Sequence, residues 1–327
     1  MFNSRALRTI ILVFAALLLL NVAFFYSPTV PALTISGTSK NAFVVFLAAN
    51  SNSKRDNKRG LFDQEDHYFT GTRMLIYQLL HCAETRTNSF VPFVVMVTKE
   101  VSEENRQQLR KDGAQVIEVA PVKFDWIKPR QERWAQVMDK LRIFELTQFD
   151  KVLLLDTDIV VTKRLDSIFD DPAAQLSHNK QNPNKIYSDE SPQPATYIMA
   201  GNSGPSQADH PYPSERGNRL NAGFVLLKPS KEMFEHYLSV GATEGKFPGG
   251  SPEQDLWNYV HNREGNMPWK QVDPDWTINS PSFNDYQHGI ATFHEKYWKK
   301  YSGQKMSDVL RKSRWRMEGF FNGYHEI

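Results

Sequence analysis

The sequence predicts an α/β protein built on a doubly wound, mostly parallel sheet. Between residues 42 and 161, short apolar runs alternate with segments whose apolar residues recur at helical spacing. This alternation is typical of a sheet with helices on both faces and argues against a helical bundle or a sandwich. Ligands bind beyond the carboxyl ends of strands in such sheets, so polar residues that directly follow apolar runs are candidate site residues.

The predicted elements follow one another without a repeat. They are strand 42–49, helix 68–81, strand 91–97, helix 103–109, strand 115–119, helix 130–147 and a strand from Val152 that ends at Asp156. Ser102 is the expected cap of the second helix, and Gly113 is expected to stop it. The polar, basic stretch 51–67 interrupts the order as an insertion.

After residue 169 the composition changes. Residues 172–218 are rich in Asn, Pro, Ser and Gln, which predicts a long polar loop. An apolar strand is expected within 220–227, a helix within 232–238 and another helix from Pro252, before a C-terminal third rich in Trp and Tyr. The prediction is one catalytic domain over 42–327.

The N-terminus has the pattern of a membrane anchor. Arg5 and Arg8 lie in a predicted cytosolic tail, 1–8, and residues 9–26 carry no charge. Since the basic residues precede the apolar run, the positive-inside rule predicts a single-pass type II signal anchor at 9–26, a stem at 27–41 and a luminal domain. The expected location is the Golgi or endoplasmic reticulum membrane. A cleaved signal peptide with a site near Ser36 is the alternative.

The composition argues against nucleic-acid binding and against an intrachain disulfide. Lys and Arg number 39 against 37 Asp and Glu, which gives no electrostatic basis for binding nucleic acid. Cys82 is the only cysteine, so no intrachain disulfide forms. With 40% hydrophobic residues, the chain can bury a full core.

Two carboxylates end the apolar strand at its carboxyl edge. Asp156 and Asp158 are two residues apart, so in an extended chain their side chains point to the same side. At about 6 Å and an effective dielectric of about 20, they repel by roughly 3 kcal/mol, which a dication would reverse. The pattern therefore suggests a metal site. The alternative is a solvated turn in which the two residues cap the next helix.

Further residues suit such a site. His294 follows the strand-like run 290–293 and is a candidate third ligand. Two carboxylates and an imidazole suit Mn²⁺, with Mg²⁺ as the alternative. Lys296 and Lys300 are candidate phosphate ligands. Glu253, Gln254 and Asp255 open a predicted helix, where acidic residues are also ordinary.

In this order, the motifs resemble glycosyltransferase family 8, the family of glycogenin. The stretch from Asp139-Lys140-Leu141 to Asp156-Thr157-Asp158 is similar to its most specific block. Asn221-Ala222-Gly223 resembles the family strand beside the donor sugar, and Glu253-Gln254-Asp255 resembles its helix start. His294 falls where the third metal ligand occurs, while Ala49, Asn50 and Tyr68 resemble the residues that hold uracil.

The resemblance implies a GT-A type fold and a retaining, Mn²⁺-dependent transfer of a hexose-type sugar. The donor would be a UDP-sugar, and the acceptor a glycoprotein, a glycolipid or another glycan. Lys140 and Asn221 would bind the donor sugar, and Lys296 its phosphates. Gln254, Asp255 or Glu253 would stabilise the developing oxocarbenium ion or attack it.

Two other functions fit part of the pattern. An apolar strand followed by Asp156-Thr157-Asp158 also matches the nucleophile motif of haloacid-dehalogenase phosphohydrolases, with Asp156 phosphorylated. That fold normally begins with this strand, whereas here other strands precede it. The third reading is an inactive luminal protein that binds sugar.

Overall fold

The computed structural model describes residues 39–49, 65–88, 90–215, 217–299 and 304–324. The predicted tail, the predicted anchor and most of the stem lie outside these ranges, as do Asn50 and Lys300. Within the described ranges, no helix is long and apolar enough to cross a bilayer. The anchor at 9–26 therefore stays a prediction.

Seven strands of the described residues form the central sheet. They are β1 (Asn41–Leu47), β2 (Phe93–Val97), β3 (Gln115–Glu118), β4 (Lys151–Leu155), β8 (Met199–Gly201), β9 (Phe224–Leu227) and β10 (Lys270–Gln271). Their spatial order is β10-β8-β9-β4-β1-β2-β3. β1 to β4 run parallel, as do β8 and β10, whereas β9 is antiparallel to both of its neighbours. The α/β class is confirmed, with a mixed sheet.

β4 is the central strand that leads into the candidate site. Residues Val152–Leu155 are fully buried because they lie between β1 and β9 and are covered on both faces. A strand that is covered on both faces requires such an unbroken run of apolar residues. Asp156 and Asp158 consequently emerge at the carboxyl edge of the sheet.

A second sheet lies beside this edge. It contains β5 (Ile159–Val161), β11 (Thr277–Asn279) and β12 (Thr292–His294), with β12 between the other two. β12 is antiparallel to β5 and pairs His294 with Ile159. This register brings a residue from near the C-terminus next to the residues that follow β4.

Helices cover the sheets. They are α1 (His67–Ile76), which continues as a π-helical turn to His81, α2 (Glu103–Lys111), α3 (Lys231–Ala242), α4 (Pro252–Val260), α5 (Phe283–His288) and α6 (Gln304–Tyr324). Ser102 caps α2 by accepting a hydrogen bond from Asn105 N, and Gly113 follows it at φ +110°, both as predicted.

The predicted helix 130–147 is not an α-helix. It consists of two 3₁₀ segments, Glu132–Trp134 and Val137–Glu145. Residues 137–141 are all buried, and the longer segment packs against α3 and α4. The helical period of its apolar residues predicted the buried side of the segment but did not distinguish a 3₁₀ helix from an α-helix.

The segment 172–218, predicted as a long polar loop, contains a strand of the central sheet. Besides the short pair β6 (Ser177–His178) and β7 (Thr196–Tyr197), it includes β8, whose residues are buried. A Cβ on Gly201 would lie 2.7 Å from the carbonyl oxygen of Phe224. Glycine thus permits β8 to pack closely against the start of β9.

Candidate functional site

The turn after β4 is held by backbone contacts from three directions. Asp156 N donates to the carbonyl of Gly223 at 2.8 Å, and Glu295 N donates to the carbonyl of Asp158 at 3.0 Å. On the third side lies α1, where a Cβ on Gly71 would come within 2.1 Å of the Thr157 carbonyl oxygen. These contacts fix the directions of the two carboxylates.

The structure brings the three predicted metal ligands together. His294 Nε2 lies 3.1 Å from Asp158 Oδ1 and 3.8 Å from Asp156 Oδ2. One ligand atom from each residue lies within 4.8 Å of the others. His294 Nδ1 is buried and receives no hydrogen bond from any residue that the structure describes. A set of two carboxylates and one imidazole, all converging on one point, fits a divalent cation such as Mn²⁺.

Two buried lysines contact the same carboxylates. Lys140 Nζ lies 2.7 Å from Asp156 Oδ1 and 3.0 Å from Glu253 Oε1. Lys296 Nζ lies 3.2 Å from Asp158 Oδ2 and donates to the Tyr68 hydroxyl at 2.7 Å. Lys296 also lies 4.8 Å from the ring centroids of Tyr68 and Trp298. Each aspartate is therefore balanced by one ammonium group.

These contacts set the charges of the site. Burial alone would raise the pKa of Asp158, but Lys296 and His294 outweigh burial and hold that pKa well below its usual range. Burial lowers the pKa of both lysines, but Asp156 and Glu253 outweigh it for Lys140, so the pKa of Lys140 is raised. Asp158 and the Tyr68 hydroxyl do the same for Lys296. Burial also lowers the pKa of His294, yet the two aspartates produce a net rise.

A further part of the cavity wall comes from the residues just before β9 and from the start of α4. Gln254 Oε1 accepts a hydrogen bond from Ala222 N at 3.0 Å, and Asn221 Oδ1 accepts one from Gly223 N at 2.8 Å. The ring of His294 packs on Gly223, where a Cβ would lie 2.1 Å from His294 Cε1. Gly223 is therefore needed for the histidine to reach the aspartates.

Asp255 points elsewhere. Its buried carboxylate accepts a hydrogen bond from Ser251 N at 2.8 Å and forms an ion pair with Arg219. It does not line the cavity described below, whereas Glu253 and Gln254 do. Of the three predicted catalytic candidates, two face the cavity and Asp255 fixes the start of α4.

These residues enclose a cavity of about 340 Å³. The predicted site residues that line it are Tyr68, Lys140, Asp156, Thr157, Asp158, Asn221, Ala222, Gly223, Glu253, Gln254, His294 and Lys296. Ala49 is one residue beyond the lining, which includes Ala48, and Asn50 lies outside the described residues.

Sequence reasoning missed two large side chains at this cavity. Arg133 and Trp134 also line it, and the guanidinium carbon of Arg133 lies 5.3 Å from the Trp134 ring centroid. They belong to a short 3₁₀ segment that precedes Lys140 and follows no recognised motif. The sequence signal that could have indicated them is an arginine next to a tryptophan, shortly before the predicted site residue Lys140.

Comparisons with known proteins agree with the resemblance. The sequence profile described as Glycosyl transferase family 8 matches residues 61–304. The Schizosaccharomyces pombe uncharacterized protein C5H10.12c is 31% identical over 264 residues, which cover 72% of this chain and 70% of that protein. Galactinol synthase 2 of Arabidopsis thaliana is 31% identical over 153 residues, covering 45% and 39% respectively.

A solved structure is similar at a greater distance. The glycosyltransferase GlyE of Streptococcus pneumoniae TIGR4 superposes with a TM-score of 0.48 at 15% identity. The superposition covers 87% of this chain, and it spans 64% of the GlyE chain.

Proposed function

We propose that this chain, which belongs to glycosyl transferase family 8, transfers a hexose-type sugar from a UDP-sugar to a glycan, glycoprotein or glycolipid acceptor. The proposal includes a GT-A type fold, Mn²⁺ dependence and retention of anomeric configuration. The observation that carries it is the convergence of Asp156, Asp158 and His294 in one cavity.

In this proposal, the aspartates and the histidine bind the metal and position the donor diphosphate. Bound Mn²⁺ would supply Lewis-acid stabilisation of the negative charge that develops on the UDP leaving group. Lys296 contacts Asp158 and would also stabilise the negative charge on the leaving group. The Tyr68 hydroxyl holds Lys296 in place, and the Tyr68 ring contributes to the same wall of the cavity.

The donor sugar would lie against Lys140 and the first turn of α4, which are in contact with each other. Lys140 joins Asp156 to Glu253, so one ammonium group links a predicted metal ligand to the first turn of α4. Glu253 and Gln254 line the cavity and are therefore the groups we assign to stabilising the oxocarbenium ion. Asp255, tied to Arg219 and Ser251, would act by positioning them.

The proposal also covers the location of the chain and the kind of acceptor. We retain a type II signal anchor at 9–26, a luminal domain and a Golgi or endoplasmic reticulum location as predictions from the apolar N-terminus. An exported domain is consistent with a glycoprotein or glycolipid acceptor. The phosphohydrolase alternative lacks comparable support, because the match to the glycosyltransferase family spans residues 61–304.

A donor screen tests the proposal. The full-length chain, purified in detergent with Mn²⁺, would be incubated with UDP-glucose, UDP-galactose, UDP-N-acetylglucosamine and UDP-xylose. UDP-galactose comes first because relatives are named galactinol synthases. We expect UDP release from one donor and its loss in EDTA. Binding of UDP without any turnover would support the inactive sugar-binding alternative, and Mg²⁺-dependent hydrolysis of p-nitrophenyl phosphate would support the phosphohydrolase.

A further inference from the structure

We propose that Ser251 binds the sugar of the UDP-sugar donor through its hydroxyl group. This inference rests on the function proposed above and deepens it, because it assigns a sugar contact to a residue outside the sequence motifs described above. Ser251 directly precedes α4 and lines the same cavity as Glu253 and Gln254. It is half-buried there.

The hydroxyl of Ser251 is not used to cap the helix. A serine at this position normally accepts a hydrogen bond from a backbone N–H of the first turn. Ser102, Ser230 and Ser282 do so at the starts of α2, α3 and α5, over 3.2, 3.2 and 3.3 Å. The Ser251 side chain makes no such bond to α4. Its role therefore differs from that of the other three serines.

Asp255 secures the start of α4 in its place. The Asp255 carboxylate accepts a hydrogen bond from Ser251 N at 2.8 Å, and Asp255 N donates to the Ser251 carbonyl at 2.7 Å. On the other side, Arg130 N donates to the carbonyl of Gly250 at 3.0 Å. The backbone at Ser251 is thus held from both sides, and the helix start does not depend on the Ser251 hydroxyl.

This hydroxyl is available to a ligand. Within the part of the chain that the structure describes, no hydrogen bond involves Ser251 Oγ. A hydroxyl donates one hydrogen bond and accepts others, as the hydroxyls of a sugar also do. The Ser251 hydroxyl, carried on a fixed backbone, can therefore pair with a sugar hydroxyl in either direction.

The position of Ser251 favours the sugar over the rest of the donor. Glu253, two residues further on, lies 3.0 Å from Lys140 Nζ, and Lys140 Nζ lies 2.7 Å from Asp156. This first turn of α4 is where the proposed sugar lies, whereas Tyr68, predicted to hold uracil, belongs to α1. A hydrogen bond from Ser251 would thus be made to the sugar and would be absent with UDP alone.

Calorimetric titrations of the full-length chain in Mn²⁺ test the inference. They use UDP and whichever of UDP-glucose, UDP-galactose, UDP-N-acetylglucosamine and UDP-xylose gives UDP release in the donor screen. Ser251→Ala should weaken binding of that UDP-sugar roughly fivefold, the size expected for one neutral hydrogen bond. It should bind UDP as the unchanged chain does, because UDP carries no sugar. Ser251→Thr keeps a hydroxyl and should restore part of the UDP-sugar affinity.

Ser102→Ala is the matched control. It also removes a serine hydroxyl before an α-helix, but Ser102 caps α2 and is not among the described residues that line the cavity. Ser102→Ala should lower the urea midpoint of unfolding and leave UDP-sugar binding unchanged. Ser251→Ala should do the reverse, with an unchanged midpoint and weaker UDP-sugar binding.

Three results would overturn the inference while the proposed function stands. One is binding of the UDP-sugar by Ser251→Ala at the unchanged affinity. Another is an equal fold-loss for UDP and for the UDP-sugar, which would place the contact at the nucleotide. The third is a lower unfolding midpoint in Ser251→Ala, as in Ser102→Ala, which would make the hydroxyl structural. Absence of UDP release from all four donors by the unchanged chain would instead contradict the proposed function, and with it this inference.

Discussion

Gly223 shows how one missing side chain shapes the candidate metal site. A Cβ there would lie 2.1 Å from His294 Cε1 and 2.6 Å from Nδ1, closer than any real contact. Gly223→Ala should therefore push the imidazole away from Asp156 and Asp158. We expect at least a tenfold loss of Mn²⁺ affinity, measured by the paramagnetic resonance signal of free Mn²⁺.

Gly319→Ala is the control for that change. Gly319 lies in α6, and apart from the backbone of that helix no atom of the described residues lies within 4 Å of a Cβ added there. Because alanine favours a helix over glycine by about 1 kcal/mol, this variant should bind Mn²⁺ normally and unfold no more easily. Normal Mn²⁺ binding by Gly223→Ala would show that His294 is not held by this contact.

His261 gives the protein a measurable pH dependence away from the cavity. It is fully buried between the Tyr237 hydroxyl, at 2.6 Å, and the Met267 carbonyl, at 2.7 Å. Burial lowers its pKa from 6.5 to about 3. The unfolded chain then binds a proton that the folded chain does not, so the stability contribution is complete above pH 6.5 and is lost as pH falls toward 3.

Replacing the imidazole should remove that dependence. His261→Asn retains a hydrogen-bond donor but does not titrate. The free energy of unfolding, measured in urea at pH 7 and pH 5, should fall less on acidification in the variant than in the unchanged chain. The difference should be at most about 1.4 kcal/mol per pH unit, the value for one proton. Identical acid dependence in both chains would refute a neutral buried His261.

At the level of elements, α4 and the residues 220–223 that lead into β9 are held together by hydrogen bonds. Asn258 Oδ1 accepts from Leu220 N at 2.8 Å, while its Nδ2 donates to the carbonyls of Leu220 at 2.9 Å and Gln254 at 2.7 Å. The bond from Ala222 N to Gln254 continues this pairing into the cavity. The amide side chain thus links two walls of the site.

Asn258→Ala should loosen both walls. Loss of these bonds leaves the Leu220 backbone groups without their partner and should cost about 2 kcal/mol of unfolding free energy. Turnover should fall as well, because Asn221 and Gln254 move together. Asn262→Ala is the comparison: it removes an exposed amide whose one side-chain hydrogen bond among the described residues goes to the Tyr259 carbonyl, so stability should change by less than about 1 kcal/mol. Equal effects would contradict the pairing.

The elements differ in how far the sequence determined them. β4 was predictable because Val152–Leu155 are apolar without interruption, as a strand covered on both faces requires. β8 was not, because Met199–Gly201 is a short apolar run inside a polar segment, and only its fit against β9 makes it a strand. The 3₁₀ geometry of 137–145 likewise depends on packing against α3 and α4.

The residues of the site also differ in how far the sequence determined their positions. Asp156, Asp158 and His294 were proposed from residue type and motif order, and the β5–β12 register brings them together. Residue type did not reveal that Asp255 turns toward Arg219. Nor did it place Arg133 and Trp134 at the cavity, since no motif contains them. Orientation at the start of a helix and proximity across loops are properties of the folded chain.

Over the whole molecule, the candidate site draws on segments from β1 to β12. The central sheet supplies the aspartates, the second sheet supplies His294, and α4 and the 3₁₀ segments complete the cavity. Residues that are far apart in sequence therefore meet only in the folded domain. The proposed metal and UDP-sugar would bind across this junction, and their binding should then stabilise the domain as a unit.

The most direct test of this account is the initial rate of UDP release from the preferred UDP-sugar, with and without Mn²⁺, for the unchanged chain and for Asp158→Asn. Asp158→Asn keeps the shape of the side chain and removes one charge from the metal site. We expect a metal-dependent rate in the unchanged chain and a fall of at least about a hundredfold in the variant, or roughly 2.7 kcal/mol of barrier. An unchanged metal-dependent rate in Asp158→Asn would contradict the central claim.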